Sequence, residues 1–479
     1  MCKGMAILVM SYEIVKEGKN YYPITSSQLN ILQGELVGAA YSNICVLIHF
    51  DSEIDMKLME QAVNAALERM PTARLRRHKF NDDKNIGQNA TLQYFSDEPI
   101  DKASVMSFKS DEKMRKYLEK LSKKPFPKKS EDTCLYQMIL INKADGGKAL
   151  YCKMHHFIND AYGIMLLAGD VLKIYKAMLT GGDMPKAPDP VLPAFEEQWS
   201  YFGSKNEAKA QEYWDNFWNT HEPPQFGTIN EPENDKLTLP DQKFGNQFHL
   251  LHKKASYAVY PFKKDLVDKI NEYAEANGVS PQVLFLLAYR TYVYKMSGGR
   301  AKNQVIQTMN ANRSKKCAKN TGGTLVSGYF FYFDVANSET FADACKYTSN
   351  MQLEYYKYCR IRNVLSDRNL NANIKLNENV FNKGWIRNST SNMFTYQPYT
   401  IDPGIDIKFH MERFSSGITA MSIYLTIMHM DNYSGDLMGC YDYSTYNLSK
   451  ETIKKFHYWM VDFLERALAN PEKTLDELM

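Results

Sequence analysis

The chain has almost no charge imbalance: 58 Lys and Arg against 55 Asp and Glu leave a formal net charge of +3. That balance excludes the strongly basic surface that nucleic acid or an anionic membrane attracts. No stretch approaches the ~20 consecutive apolar residues of a membrane span. The early run Ala6-Ile7-Leu8-Val9-Met10 is too short for a signal-peptide core, and Glu13 follows it closely. The eight cysteines are Cys2, Cys45, Cys134, Cys152, Cys317, Cys345, Cys359 and Cys440; they are scattered and form no C-x-x-C pair. This excludes a zinc ribbon or a disulfide frame and reads as reduced thiols in a cytoplasmic protein. Neither H-E-x-x-H nor G-x-S-x-G occurs, so a zinc peptidase and a nucleophile-elbow hydrolase are excluded as well.

A length of 479 residues exceeds one ordinary core. Residues 41–50 read as a strand, and 54–70 carry apolar residues at helical spacing. Strands follow near 91–95, 135–142 and 149–154, then a helix over 162–179. The Pro- and Gly-rich stretch 181–193 reads as a linker. An aromatic helix at 206–219 carries Tyr213, Trp214, Phe217 and Trp218. A polar, Pro-containing loop spans 221–247. Beyond it the pattern predicts strands near 256–262, 303–310, 324–335, 392–397, 404–411, 417–429 and 435–443. Helices are expected over 263–277, 281–297, 339–358 and 450–469. The expected organisation is a first α/β lobe over 1–190, a linker and crossover helix over 191–255, and a second lobe over 256–479. With both lobes in one chain, a monomer is expected.

Histidine is scarce, at ten residues, yet His155 and His156 are adjacent and Asp160 follows at the turn into a helix. Successive strand side chains point to opposite faces. One histidine therefore faces a cleft while the other is structural. A neutral imidazole can take a proton from an amine or alcohol at neutral pH. Asp160 is placed to meet a buried cation or backbone N–H groups. The bland alternative is a purely structural pair; a metal site is disfavoured because adjacent strand histidines diverge.

At these residues the chain resembles the condensation-domain family of the CoA-dependent acyltransferase superfamily, whose signature H-H-x-x-x-D-G reads here His155-His156-Phe157-Ile158-Asn159-Asp160-Ala161. Ala161 replaces the usual Gly, with Gly163 two residues on. Tyr22 to Gln28 resembles the family's opening segment, and 194–218 its aromatic crossover. Arg69 and Arg74 are the arginines kept from an Arg-rich helix end. Met309-Asn310-Ala311-Asn312-Arg313 resembles the segment whose Arg pairs with the motif Asp, and 391–397 a strand lining the channel. Gly328-Tyr329-Phe330-Phe331-Tyr332-Phe333 departs from G-x-F-x-N-T, with Tyr where the family has Asn. The Asp-Phe-Gly-Trp-Gly motif of plant acyltransferases is missing.

The resemblance implies an α/β fold of two chloramphenicol-acetyltransferase-like lobes in a V with a tunnel between them. It implies a stand-alone acyltransferase moving an acyl group from a thioester to an amine or alcohol, with His156 as general base. His155 and Asp160 would be structural, Asp160 pairing with Arg313 or, alternatively, Arg74. Backbone N–H groups around Ala161 and Gly163 would serve the oxyanion, and Tyr332, Tyr396 and Gln397 would wall the tunnel. The donor would be acyl-CoA or a phosphopantetheine thioester on an acyl or peptidyl carrier protein, and the acceptor a small molecule. No bound cofactor, metal or nucleic acid is implied. The Lys-rich 122–129 reads as a solvated loop, or as a dock for an acidic carrier or a CoA phosphate. Ala161 and Tyr332 also admit a catalytically silent scaffold of the same fold; epimerisation or cyclisation is the third reading.

Overall fold

The computed structural model describes residues 12–80, 90–127, 132–222, 224–225, 227–231, 234, 252–360 and 392–479. In chain order the first half holds β1 (Ile14–Lys16), β2 (Lys19–Pro23), α1 (Ser26–Gly34), β3 (Asn43–Phe50), α2 (Met56–Arg69), β4 (Leu75–Phe80) and β5 (Ala90–Phe95). It continues with β6 (Ser104–Ser107), α3 (Asp111–Lys123), β7 (Tyr136–Asn142), β8 (Lys148–His155) and α4 (Ala161–Thr180). Then follow α5 (Leu192–Tyr201), α6 (Lys205–Thr220), β9 (Ala255–Phe262), α7 (Lys264–Asn277), α8 (Pro281–Met296) and β10 (Gln304–Asn310). The last part holds α9 (Lys316–Lys319), β11 (Ser327–Phe333), α10 (Phe341–Tyr358), β12 (Asn392–Gln397), β13 (Phe409–Phe414), β14 (Ile423–Met428), β15 (Leu437–Ser444), α11 (Lys450–Ala469) and α12 (Leu475–Leu478).

Three sheets result. A small one runs β1-β2-β5-β4, a five-stranded one β13-β3-β8-β7-β6, and a six-stranded one β11-β10-β12-β14-β15-β9. The halves do not part at one cut in the sequence. β13, from the later half, pairs antiparallel with β3 and becomes an edge strand of the earlier half's sheet. The sequence pattern places that strand at 404–411, but the described strand starts at Phe409, because Gly404 at φ +68° and the Asp402 turn hold a loop before it. Likewise 417–429 shortens to β14, after a turn through Gly417 at φ +77°. The sequence reading did not include β1, β2, α1, β4, β6, α3, α9 or α12. Most of 221–247, residues 128–129 and Ser391 lie outside the described residues.

Local chemistry explains the elements that matter. β8 is buried on both faces, so its sequence shows an apolar run from Ala149 to Cys152 with no polar alternation, and Lys153 beyond it is buried as well. Its odd and even residues meet different partners. Ala149 and Tyr151 pack with Met114 and Leu118 of α3. Leu150, Cys152 and Met154 pack with α2 and α4. Lys153, buried on the odd face, donates to the Leu121 and Lys124 carbonyls at 3.1 and 2.6 Å and so caps the C-terminus of α3. α4 starts where the Asp160 side chain accepts the Gly163 N–H, and it ends on Gly181 at φ +67°. In the later half, α8 is buried on every face from Gln282 to Val293 and forms the centre of that core.

The seven described cysteines are unpaired. Among the described residues no helix is long and apolar enough to cross a membrane, and no group of three or more His, Cys, Asp or Glu could hold a metal ion.

Candidate active site

The two histidines part at the end of β8, following the strand's alternation. His155 falls on the α3 face and is enclosed, at 2% exposure. Its Nδ1 accepts the Phe157 N–H at 3.1 Å, so the proton sits on Nε2, which donates to Glu35 at 2.7 Å. Glu35 also accepts from Arg77, at 3.2 and 3.3 Å, and from the Ser42 hydroxyl at 3.1 Å. Burial alone would raise the Glu35 carboxyl. The His155 hydrogen bond and Arg77 outweigh it and hold the carboxyl below its ordinary range. Burial keeps the His155 imidazole below its ordinary value despite Glu35. Both ring nitrogens are committed, which leaves His155 a structural post.

His156 falls on the α4 face. Its N–H donates to Ser42 O at 2.7 Å, and its carbonyl accepts the Thr324 hydroxyl. The backbone is thus pinned on both sides while the ring lines a cavity of about 710 Å³. The ring Nδ1 makes no protein hydrogen bond among the described residues. Burial lowers the His156 pKa; its own carbonyl and the Asp160 charge oppose this without overcoming it. The imidazole is therefore neutral at neutral pH.

Asp160 meets both kinds of partner the sequence suggested. Its carboxylate accepts Arg313 Nη2 at 2.9 and 3.1 Å, Gly163 N–H at 3.0 Å, Leu325 N–H at 3.1 Å and Val326 N–H at 3.3 Å. Arg313 also donates to the carbonyls of Ala318, Thr321 and Gly323, and stacks over the Tyr162 ring at 4.3 Å. This junction sews the β8–α4 turn to the loop before β11. Arg74 lies elsewhere, bonded to Glu68 and to the Glu98 carbonyl. Arg69 ties α2 to Asp170 of α4 at 2.9 Å.

Two expected positions are corrected. Gly163 cannot offer its amide to an oxyanion, because that N–H is spent on the Asp160 cap. Its missing side chain matters instead: a Cβ there would sit 2.4 Å from Asn159 Oδ1. Tyr332 does not reach the cavity. It is 1% exposed, α6 covers its ring through Phe217 and Trp218, and its hydroxyl donates to the Glu222 carbonyl at 2.9 Å. The cavity takes Tyr329 and Phe330 from that strand. Ala161, Tyr396 and Gln397 do line it, and burial pushes the Tyr396 hydroxyl up to about 12. Of the α6 aromatics, Trp214 and Phe217 belong to the core and Trp218 reaches the cavity.

Sequence reasoning missed three supports. Glu35 carries no local signal. Asn159 sits inside the motif and could have been found there: its Oδ1 accepts Thr72 Oγ1 at 3.1 Å and Gly323 N–H at 2.8 Å. The third is an ion pair in the cavity wall, Arg413 to Asp442 at 3.1 Å.

Two lobes facing each other across a shared cavity, with a histidine on the strand-to-helix turn of one of them, define a protein of the chloramphenicol-acetyltransferase-like class. The chain belongs to the condensation-domain family, whose description matches residues 19–479. It is 25% identical to surfactin synthase subunit 1 of Bacillus subtilis (strain 168), over 96% of this chain and 12% of that protein. It is 22% identical to tyrocidine synthase 3 of Brevibacillus parabrevis, over 96% of this chain and 6% of that protein. The chain thus spans only a small part of these relatives. Among solved structures, the first condensation domain of the CDA synthetase superposes with a TM-score of 0.72 at 14% identity, covering 96% of this chain and 98% of that one. VibH, a condensation enzyme, gives 0.69 at 14%, covering 94% and 99%. A mutant of the starter condensation domain of rhizomide synthetase RzmA, in complex with C8-CoA, gives 0.74 at 15%, covering 95% and 96%. At such identities these structures speak for the fold.

Proposed function

We propose that the protein is a condensation-type acyltransferase that moves an acyl group from a thioester to an amine or alcohol, with His156 as general base. The carrying observation is the His156 ring: neutral, held by a doubly pinned backbone, and lining a cavity both halves wall. A neutral imidazole accepts the proton as the acceptor nitrogen or oxygen attacks the thioester carbonyl. That proton can then pass to the departing thiolate. The oxyanion forms near the first turn of α4, where Ala161 lines the cavity and the helix end favours negative charge. Asp160 and Arg313 hold that turn in place and touch no reacting atom in this reading. The donor is read as acyl-CoA or a phosphopantetheine thioester on a carrier protein, and the acceptor as a small molecule.

The test is thiol release from acyl-CoAs with pooled amines and alcohols. His156→Ala should lower turnover by about 10²–10⁴ with an unchanged melting curve. A folded His156→Ala protein with wild-type turnover removes the base role. Thioester binding without turnover for any acceptor favours the silent scaffold.

A further inference from the structure

The cavity continues past His156 into the first lobe, between α4 and the five-stranded sheet. On α4 the lining residues Ala161, Ile164, Met165, Ala168 and Val171 recur every three or four positions, with Tyr162 and Leu167 beside them. They form one helical stripe, and ten residues at 1.5 Å each make it roughly 15 Å long. Facing it, β3 contributes Ile44, Val46 and Ile48, and β8 contributes Cys152 and Leu150. These residues lie opposite one another in register: Val46 pairs with Cys152 and Ile48 with Leu150. From His156 to Leu150 the floor runs roughly 20 Å along the strand. Met138 and Met411 widen it on either side, paired with Cys152 and Ile48.

Beyond Tyr162 on α4, and from Ile44 onward on β3, every lining residue is apolar. The charged side chains that reach the flank, Arg413 and Asp442, are paired with each other. The stripe stops at Tyr175, which is 2% exposed, does not line the cavity, and accepts the Asp55 N–H on its hydroxyl at 3.0 Å. The channel thus opens at the base, is apolar along α4 and β3, and ends on α4 at Val171.

The geometry points to a straight aliphatic acyl chain as the group this protein transfers, housed between α4 and the sheet with its thioester carbonyl at His156. An extended chain advances about 1.25 Å per carbon, from a 1.52 Å bond and a 111° angle. A channel of roughly 15 Å therefore measures about twelve carbons. This inference rests on the acyl-transfer reading and adds the class of acyl group to it. Methionine side chains on three walls (Met138, Met165 and Met411) let the fit adapt by a carbon or two.

The experiment uses acyl-pantetheine thioesters of two to sixteen carbons, the handle CoA and carrier proteins share. Thiol release with pooled acceptors and calorimetric binding are both measured. Release and affinity should peak at ten to fourteen carbons. Ala168→Phe places a ring about seven residues along the stripe, which leaves room for about eight carbons, so the peak should move to eight or fewer. Val171→Phe should move it less, and it serves as the second variant if the first does not fold. A peak at acetyl, or a flat profile with transfer intact, overturns the inference and leaves the proposed function standing. If no donor is turned over, the proposed function fails, and binding decides the channel. Dodecanoyl-pantetheine held at least tenfold tighter than acetyl-pantetheine, with that margin lost in Ala168→Phe, keeps it. Equal binding removes it.

Discussion

Two ion pairs of this molecule, Asp160–Arg313 and Arg413–Asp442, are built to different standards. Asp160–Arg313 is enclosed, at 4% and 6% side-chain exposure, and both partners carry further hydrogen bonds. Arg413–Asp442 opens onto the cavity, at 26% and 20%. There the neighbouring polar groups are tyrosines; the Tyr257 hydroxyl is buried without a partner, and Tyr41 is pushed up to about 12 by burial first and then by Tyr424 and Asp442. The contrast teaches what a pair of opposite charges does in each place. The first fixes the turn that carries the histidine. The second lines the wall of the cavity.

The largest effect should come from Arg313→Ala. It strands the Asp160 carboxylate and three carbonyls, and should cost about 3–5 kcal/mol in denaturant unfolding. Asp160→Asn should lower both stability and rate, and an unchanged melting temperature would erase the distinction between the pairs. Next comes Gly163→Ala, which must displace Asn159 and should cost about 1–3 kcal/mol while slowing transfer, since it moves the same turn. A smaller effect is expected at the open pair. Arg413→Met and Asp442→Leu should each destabilise, the double variant should recover most of the loss, and the coupling energy should be under half that of Asp160–Arg313. An equal coupling energy breaks the comparison.

Acid gives the last test. His155 and His156 titrate below their ordinary value of 6.5, so between their folded values and 6.5 the unfolded chain binds more protons. Stability should therefore fall as pH drops through that window and be complete above it. Glu35, held low, adds a loss that begins below its ordinary 4.5. His155→Gln should flatten the upper slope in chemical denaturation read from pH 4 to 8, and an unaltered slope places the acid sensitivity elsewhere.

The parts legible in the sequence are those with local signals. The run into His155 and the helix after Asp160 were visible because burial on both faces and a side-chain cap leave continuous traces in neighbouring residues. α3 repeats its apolar Met114, Leu118 and Leu121 on a heavily charged helix, which leaves only a faint stripe. Glu35 and the pairing of β13 with β3 depend on contacts between distant segments, and nothing beside them in the chain announces those. The role given to Gly163 failed for a related reason. Its amide looked available until the Asp160 cap used it.

The strand exchange has a practical consequence. Because β13 closes the first lobe's sheet at β3, a fragment ending near residue 190 would be produced with β3 as a bare edge. A bare edge invites pairing with any passing strand. Such a fragment should collect in inclusion bodies, and a synthetic peptide spanning Phe409–Phe414 should return part of it to solution. A split reporter cut at the linker would then reassemble only when the later piece still carries this strand.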